Sequence, residues 1–406
     1  MMKKWQKRIL TTAWITYASF YLLRINMSVA IPGIMQEFGI TKTSIGIVLS
    51  ALFFAYAVGQ FVNGQLADKF GAKKIVALGL FVSAILNIIF GFTNNFLAGM
   101  VLIWGLNGFF QAMGWSPIVK TVACWFSAAK RGQAAGILGT SYIFGGAASW
   151  ALAGFVVGTL GWRWAFWLPG ILAVFFVFHW LLRIKNSCED VGFPPAEITD
   201  GYRGVRDNIR AVLSNKNIWI VAFGLFCLNI VRYGFLDWAP TYFFEVQKAA
   251  ISVSAYKALI FPLAGILGAL FVGKFSGRFS HGKKSLIAAA MLFLLAVAAF
   301  CFPLVPKELW FLSLMLLAVI GFLTFGPHVL MVTALPMDLD SKERTASIAG
   351  FIDGWGYIGA SLTGVGTGFL LDHLGWNSAF YFWISGAVVA AFLMFLLSRR
   401  NLQKAC

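Results

Sequence analysis

Charged side chains are scarce in this chain. They make up 12% of its 406 residues, with only 15 aspartates and glutamates, while 60% of the residues are hydrophobic. A soluble domain carries roughly 25% charge. A water-facing fold could not cover so much apolar surface, so most of the chain must meet lipid. Histidine is rare too: the four present are widely separated, which argues against a metal site. The five cysteines, Cys124, Cys188, Cys227, Cys301 and Cys406, are odd in number and scattered. They lack metal-ligand spacing and read as structural thiols. The alternation of a β-barrel is missing, as are a polar segment long enough to fold a catalytic domain and any nucleophile–base constellation. No enzymatic activity, cofactor or metal is therefore expected.

What the chain does have is long apolar runs. A span needs roughly 20 apolar residues, and candidates lie near 9–31, 45–67, 75–92, 96–118, 133–158, 163–184, 217–245, 253–278, 284–304, 308–333, 345–372 and 376–398. The fold class is thus an all-α membrane protein with twelve transmembrane helices. The opening Met1-Met2-Lys3-Lys4-Trp5-Gln6-Lys7-Arg8 superficially matches a signal peptide. The apolar run behind it continues to Ile31 with no small-residue cleavage site, so it is expected to remain as the first span. A polar stretch, 185–216, separates an N-terminal six-helix half, 1–184, from a C-terminal half, 217–406.

The net charge is +17. A nucleic-acid binder would gather that charge on one face, whereas here the basic residues lie between apolar runs, and no nucleic-acid partner is expected. With both termini on one side, that side holds 25 of the 32 Lys and Arg residues. The opposite loops hold four: Lys42, Arg163, Lys248 and Lys307. The positive-inside rule then puts both termini in the cytoplasm, in a multi-pass protein of the plasma (inner) membrane.

The two halves repeat. Gly64-Gln65-Leu66-Ala67-Asp68-Lys69-Phe70-Gly71-Ala72-Lys73-Lys74 follows span two, and Gly273-Lys274-Phe275-Ser276-Gly277-Arg278 with Gly282-Lys283-Lys284 follows span eight. Leu160-Gly161-Trp162 with Ala165-Phe166 opens span six, as Leu374-Gly375-Trp376 with Ala379-Phe380 opens span twelve. Arg24 precedes Pro32 by eight residues in span one, and Arg232 precedes Pro240 by eight in span seven. The offsets of 208 to 214 residues place the halves in parallel register. Such repeats belong to carriers whose solute site lies near the membrane midplane between pseudo-two-fold-related halves.

A charge inside a span costs about 2.5–3.5 kcal/mol on insertion scales and usually faces an internal cavity. Arg24 and Arg232 hold corresponding places in the two repeats. The repeat therefore predicts that they approach one cavity, where two guanidinium groups repel unless an anion lies between them. Arginine is also shaped for bidentate contact with phosphate or carboxylate. The competing reading pairs each arginine internally, for instance Arg232 with Asp237 or Glu245. Helical spacing adds polar stripes: Tyr17, Tyr21 and Arg24; Tyr56, Gln60 and Asn63; Asn229, Arg232 and Tyr233; Asp353, Tyr357 and Ser361. They suit a water-lined cavity rich in donors, although a tyrosine can also pack in a helix interface with its hydroxyl on a carbonyl. His328 reads either as a proton site or as a packing histidine.

The Gly64–Lys74 loop and the paired halves resemble the major facilitator superfamily. A closer resemblance is carried by Leu23-Arg24-Ile25-Asn26, Gly114-Trp115-Ser116-Pro117 with Lys120-Thr121-Val122 and Trp125-Phe126, and Lys130-Arg131-Gly132. Cys188-Glu189-Asp190-Val191-Gly192-Phe193-Pro194-Pro195, Arg232-Tyr233-Gly234-Phe235-Leu236-Asp237-Trp238-Ala239-Pro240-Thr241-Tyr242, and Gly350-Phe351 with Gly356-Tyr357-Ile358-Gly359 complete it. These blocks resemble the organophosphate:phosphate antiporter family and cover nearly the whole chain. The resemblance implies that Arg24 and Arg232 grip phosphate and that Tyr17, Tyr21, Tyr56 and Tyr357 line the cavity. Where the family's glycerol-3-phosphate carrier has a lysine in span two and a histidine in span five, this chain has Gln60 and Tyr142. Tyr233 and Asp353 join the candidate substrate site. Asp353 has three open roles: binding a sugar hydroxyl, carrying a proton, or pairing with a base. Asp68, Lys69 and Arg131, at span ends, are expected to latch the cytoplasmic gate.

The expected function is exchange of inorganic phosphate for a small phosphorylated metabolite by alternating access, in a protein acting as a monomer in membrane lipid. Two rivals remain: a proton-coupled organic-anion symporter, and a transporter-like membrane sensor of sugar phosphates.

Overall fold

The computed structural model describes residues 1–194, 212–276, 281–339 and 345–403, and among these every regular element is helical. The first half comprises α1 (Met2–Leu22), α2 (Asn26–Phe38), α3 (Lys42–Phe70), α4 (Ala72–Phe90), α5 (Leu97–Gln111), α6 (Trp115–Trp125), α7 (Ala128–Leu160) and α8 (Trp164–Arg183). The second comprises α9 (Lys216–Glu245), α10 (Ile251–Ala258), α11 (Ile260–Ser276), α12 (His281–Cys301), α13 (Trp310–Val329), α14 (Leu335–Leu339), α15 (Thr345–His373) and α16 (Trp376–Gln403). Among the described residues, eleven helical stretches are long and apolar enough to cross a membrane. The exception is the expected span 345–372. It is helical along α15, but its many glycines and Asp353 dilute its apolar character.

Apolar side chains point outward as well as inward. Phe54, Leu102, Phe155, Phe175, Leu267, Phe293 and Phe392 are exposed, which is tolerable only where the surrounding solvent is hydrocarbon.

The chain forms two compact units, Met1–Gly39 with Ala51–Asp200, and Ile40–Ser50 with Gly201–Cys406. The opening turns of α3 thus cluster with the second unit. There the Asp372 carboxylate accepts from the backbone N–H of Lys42 (3.1 Å) and of Thr43 (2.7 Å) and from the Thr43 hydroxyl (2.6 Å). It thereby serves donors that a helix start leaves unpaired. Lys42 forms a salt bridge with Glu245 at 3.1 Å.

The repeat seen in sequence reappears in packing, unit by unit. Trp162 Nε1 donates to Glu37 at 2.8 Å, and Trp376 Nε1 donates to Glu245 at 3.0 Å. Gly161 and Gly375, just before those tryptophans, both hold positive φ (93° and 78°), a conformation costly for any residue with a Cβ. A Cβ on Gly108 of α5 would overlap the Leu52 carbonyl of α3, and one on Gly321 of α13 would overlap the Phe261 carbonyl of α11. Both helix pairs therefore touch backbone to backbone, as small residues permit in membrane bundles.

Candidate functional site

Span one, expected as one run over 9–31, is broken. α1 stops at Leu22, α2 starts at Asn26, and Arg24 sits in the intervening turn. The regular bond from the Arg24 N–H to Phe20 O is replaced by a tighter one to Tyr21 O (3.3 Å). Carbonyls at the break receive side-chain donors, Phe20 O in addition to the Leu23 N–H (3.2 Å). Leu23 O accepts from Asn87 Nδ2 (3.0 Å) and Asn107 Nδ2 (2.9 Å), and Phe20 O accepts from Gln111 Nε2 (3.0 Å). Asn26, just past the break, donates to Asn87 Oδ1 (2.9 Å) and Ala165 O (2.8 Å). Side chains inserted into a helix ladder are a known cause of such breaks. Span four breaks nearby: α5 ends at Gln111 itself, and α6 resumes at Trp115.

Arg24 is 3% exposed. Its neighbours include the faces of Tyr21 and Tyr56, with the guanidinium carbon 4.8 and 4.4 Å from their ring centroids, and Gln111 Oε1, 3.3 Å from Nη2. Aromatic faces attract a cation without cancelling its charge. Tyr17, Tyr21, Tyr142 and Trp115 form one aromatic group. Its ring centroids are separated by 5.8 Å (Tyr17–Tyr21), 4.7 Å (Tyr17–Trp115) and 5.9 Å (Tyr21–Tyr142). Gln60 accepts from the Ser116 hydroxyl at 3.1 Å. The first unit therefore gathers Arg24, Tyr17, Tyr21, Tyr56 and Tyr142 around one buried charge, with Gln60 one helical turn beyond Tyr56.

Arg232, 2% exposed, lies in the unbroken α9. Its Nη1 is 3.0 Å from His328 Nε2, and its guanidinium carbon is 4.9 Å from the Tyr233 ring and 5.2 Å from Phe325. Tyr233 and Tyr357 are neighbours at 6.2 Å. Asp353 is half-buried one turn before Tyr357 on α15. Glu245, one candidate internal partner for Arg232, is instead engaged with Lys42 and Trp376. Of the residues expected at the gate, Lys69 is exposed in the last turn of α3, and the side chains of Asp68 and Arg131 lie outside the described residues.

Sequence reasoning missed Gln111, Asn87, Asn107 and Asn26. All four are fully buried. A polar amide inside an otherwise apolar run was the available signal, and Gln111 lies only three residues before the Gly114–Pro117 block. His328, read as a proton site or a hydrogen-bonded packing histidine, is buried with its Nε2 3.0 Å from Arg232 Nη1.

The family model described as Major Facilitator Superfamily matches residues 13–364. The chain is 32% identical to the glycerol-3-phosphate transporter of Bacillus subtilis (strain 168), covering 99% of this chain and 94% of that protein. It is 28% identical to the membrane sensor protein UhpC of Escherichia coli (strain K12), covering 96% and 91%. It is 27% identical to the phosphoglycerate transporter protein of Salmonella typhimurium (strain LT2), covering 98% and 90%. Among solved structures, the bacterial homolog of the human lysosomal transporter Spinster, inward-facing and unoccupied, superposes with a TM-score of 0.74. It covers 98% of both chains at 16% identity, a likeness of fold alone.

Proposed function

The chain belongs to the major facilitator superfamily and, within it, to the organophosphate:phosphate antiporter family, and on that premise we propose that it exchanges inorganic phosphate for a small phosphorylated metabolite by alternating access. Arg24 and Arg232 are the two grips, one from each repeat, on the same phosphoryl group. The observation that carries this reading is the burial of both guanidinium groups in apolar spans, at corresponding places of the two repeats and each against tyrosine rings. A charge kept inside a span is costly and marks a working site. An oxyanion bridging the two guanidinium groups offsets their mutual repulsion when the site closes, so the loaded carrier turns over faster than the empty one, and exchange is the natural mode. The metabolite is of the glycerol 3-phosphate, sugar phosphate or phosphoglycerate type, in keeping with the named relatives. Tyr17, Tyr21, Tyr56, Gln60, Tyr142, Tyr233, Asp353 and Tyr357 complete the site, and Asp68, Lys69 and Arg131 latch the cytoplasmic gate. The halves are 1–184 and 217–406. The protein works as a monomer in the inner membrane with both termini cytoplasmic, a placement supported by the Lys and Arg asymmetry.

The test is phosphate exchange in proteoliposomes, competed by a panel of phosphorylated metabolites, with Arg24→Lys and Arg232→Lys alongside. Lysine keeps the charge and loses the bidentate fork, so both variants should lose exchange. Full exchange by both would remove the clamp. A second reading, favoured by the similarity to UhpC, is a sensor that binds the same ligands. Phosphate binding by the purified protein without any exchange would select it.

A further inference from the structure

Gln111 makes two contacts with one amide. Its Nε2 donates to Phe20 O at 3.0 Å, and its Oε1 accepts from Arg24 Nη2 at 3.3 Å. The first contact occupies the carbonyl that the broken turn withdrew from the Arg24 N–H. The second fixes one arm of the Arg24 fork. The backbone break and the guanidinium orientation are therefore joined through a single buried side chain.

We propose that Gln111 is a positioning residue for Arg24, setting the fork for an oxyanion; this rests on the reading of Arg24 as a phosphate grip. The amide is suited to the task for two reasons. It is uncharged at every pH, so it orients the guanidinium without competing for its charge. It engages one N–H of a guanidinium that carries five, so a phosphate oxygen takes other donors of the fork while the Gln111 contact persists. A carboxylate in the same place would do the opposite. It would hold Arg24 in a buried ion pair and lose the donor to Phe20 O.

The experiment uses the full-length protein in detergent and in proteoliposomes, with inorganic phosphate as the probe. Two quantities are read: the melting midpoint without phosphate, and the phosphate concentration that half-saturates thermal stabilisation, checked against the KM of exchange. Gln111→Leu should raise the half-saturating phosphate about tenfold, the scale of one hydrogen bond to a charged group. Maximal exchange per folded protein should change much less. Gln111→Glu, which is isosteric, should raise it about a hundredfold or abolish saturation. Support of the broken turn alone would lower the melting midpoint of both variants and leave half-saturation at the wild-type value, which overturns the proposal. Should Gln111→Leu fail to fold, Gln111→Glu decides by itself, since wild-type half-saturation in that variant is incompatible with the inference. Arg24→Lys separates the two levels. If Arg24→Lys weakens phosphate binding while the Gln111 variants do not, only the positioning role falls. If Arg24→Lys binds as wild type, the grip falls and the positioning role with it.

Discussion

Arg232 Nη1 lies 3.0 Å from His328 Nε2, both buried in the second unit. A guanidinium can only donate, so His328 Nε2 must present its lone pair and the ring proton must sit on Nδ1. Arg232 thus has a neutral acceptor on α13, while Arg24 has one at the end of α5: a histidine in one unit, a glutamine in the other. His328→Gln keeps an acceptor and should retain exchange with KM within about threefold. His328→Leu leaves the arm without it and should raise KM about tenfold. Equal KM values for the two variants would show that the contact does not matter to function.

Tyr21 and Tyr56 act on Arg24 through their ring faces. Tyr21→Phe and Tyr56→Phe keep the face and should preserve most phosphate affinity. The corresponding leucine variants should each weaken it by about 0.5–2 kcal/mol, read as half-saturating phosphate in thermal stabilisation. If the phenylalanine variants are as weak as the leucine variants, the hydroxyls rather than the faces are the working groups.

Asn87 ties three pieces of the first unit together: it donates to Leu23 O and Ser83 O and accepts from Asn26. Asn87→Leu strands buried polar groups and should lower stability by about 1–3 kcal/mol per group left unsatisfied, seen as a lower melting midpoint in detergent. A midpoint within a degree of wild type would mean the broken turn does not depend on it.

Gly108 and Gly321 meet backbone carbonyls of Leu52 and Phe261 that cannot yield like a flexible side chain. Gly108→Ala and Gly321→Ala should each cost about 1–3 kcal/mol through overpacking. Gly136, helical and with nothing within 4 Å of its would-be Cβ, is the control, where Ala should be neutral or stabilising by up to about 1 kcal/mol. Parallel melting curves for the three variants check the contrast.

The reach of the sequence is clearest in the repeat. Its offset, read from Arg24/Arg232 and Trp162/Trp376, also relates contacts the sequence does not display: the tryptophan–glutamate bonds and the Gly108/Leu52 and Gly321/Phe261 approaches. By contrast, the sequence runs span one straight through Arg24. Hydropathy averages over a window, and Leu23-Arg24-Ile25-Asn26 contains neither glycine nor proline to mark a break. The groups at the break bond to Asn87, Asn107 and Gln111, between 61 and 91 residues away in sequence from the segments they engage.

By itself, then, the sequence determined that the chain lives in lipid, that it is helical and doubled, and which two arginines are buried charges. Those properties follow from composition, period and spacing, all read along the chain without knowing its contacts. Only the tertiary structure decided what stands next to each arginine: Gln111 and two tyrosine faces in one unit, His328 and Phe325 in the other. A buried polar group must find its partner wherever the fold brings one, and no local pattern records which residue that will be.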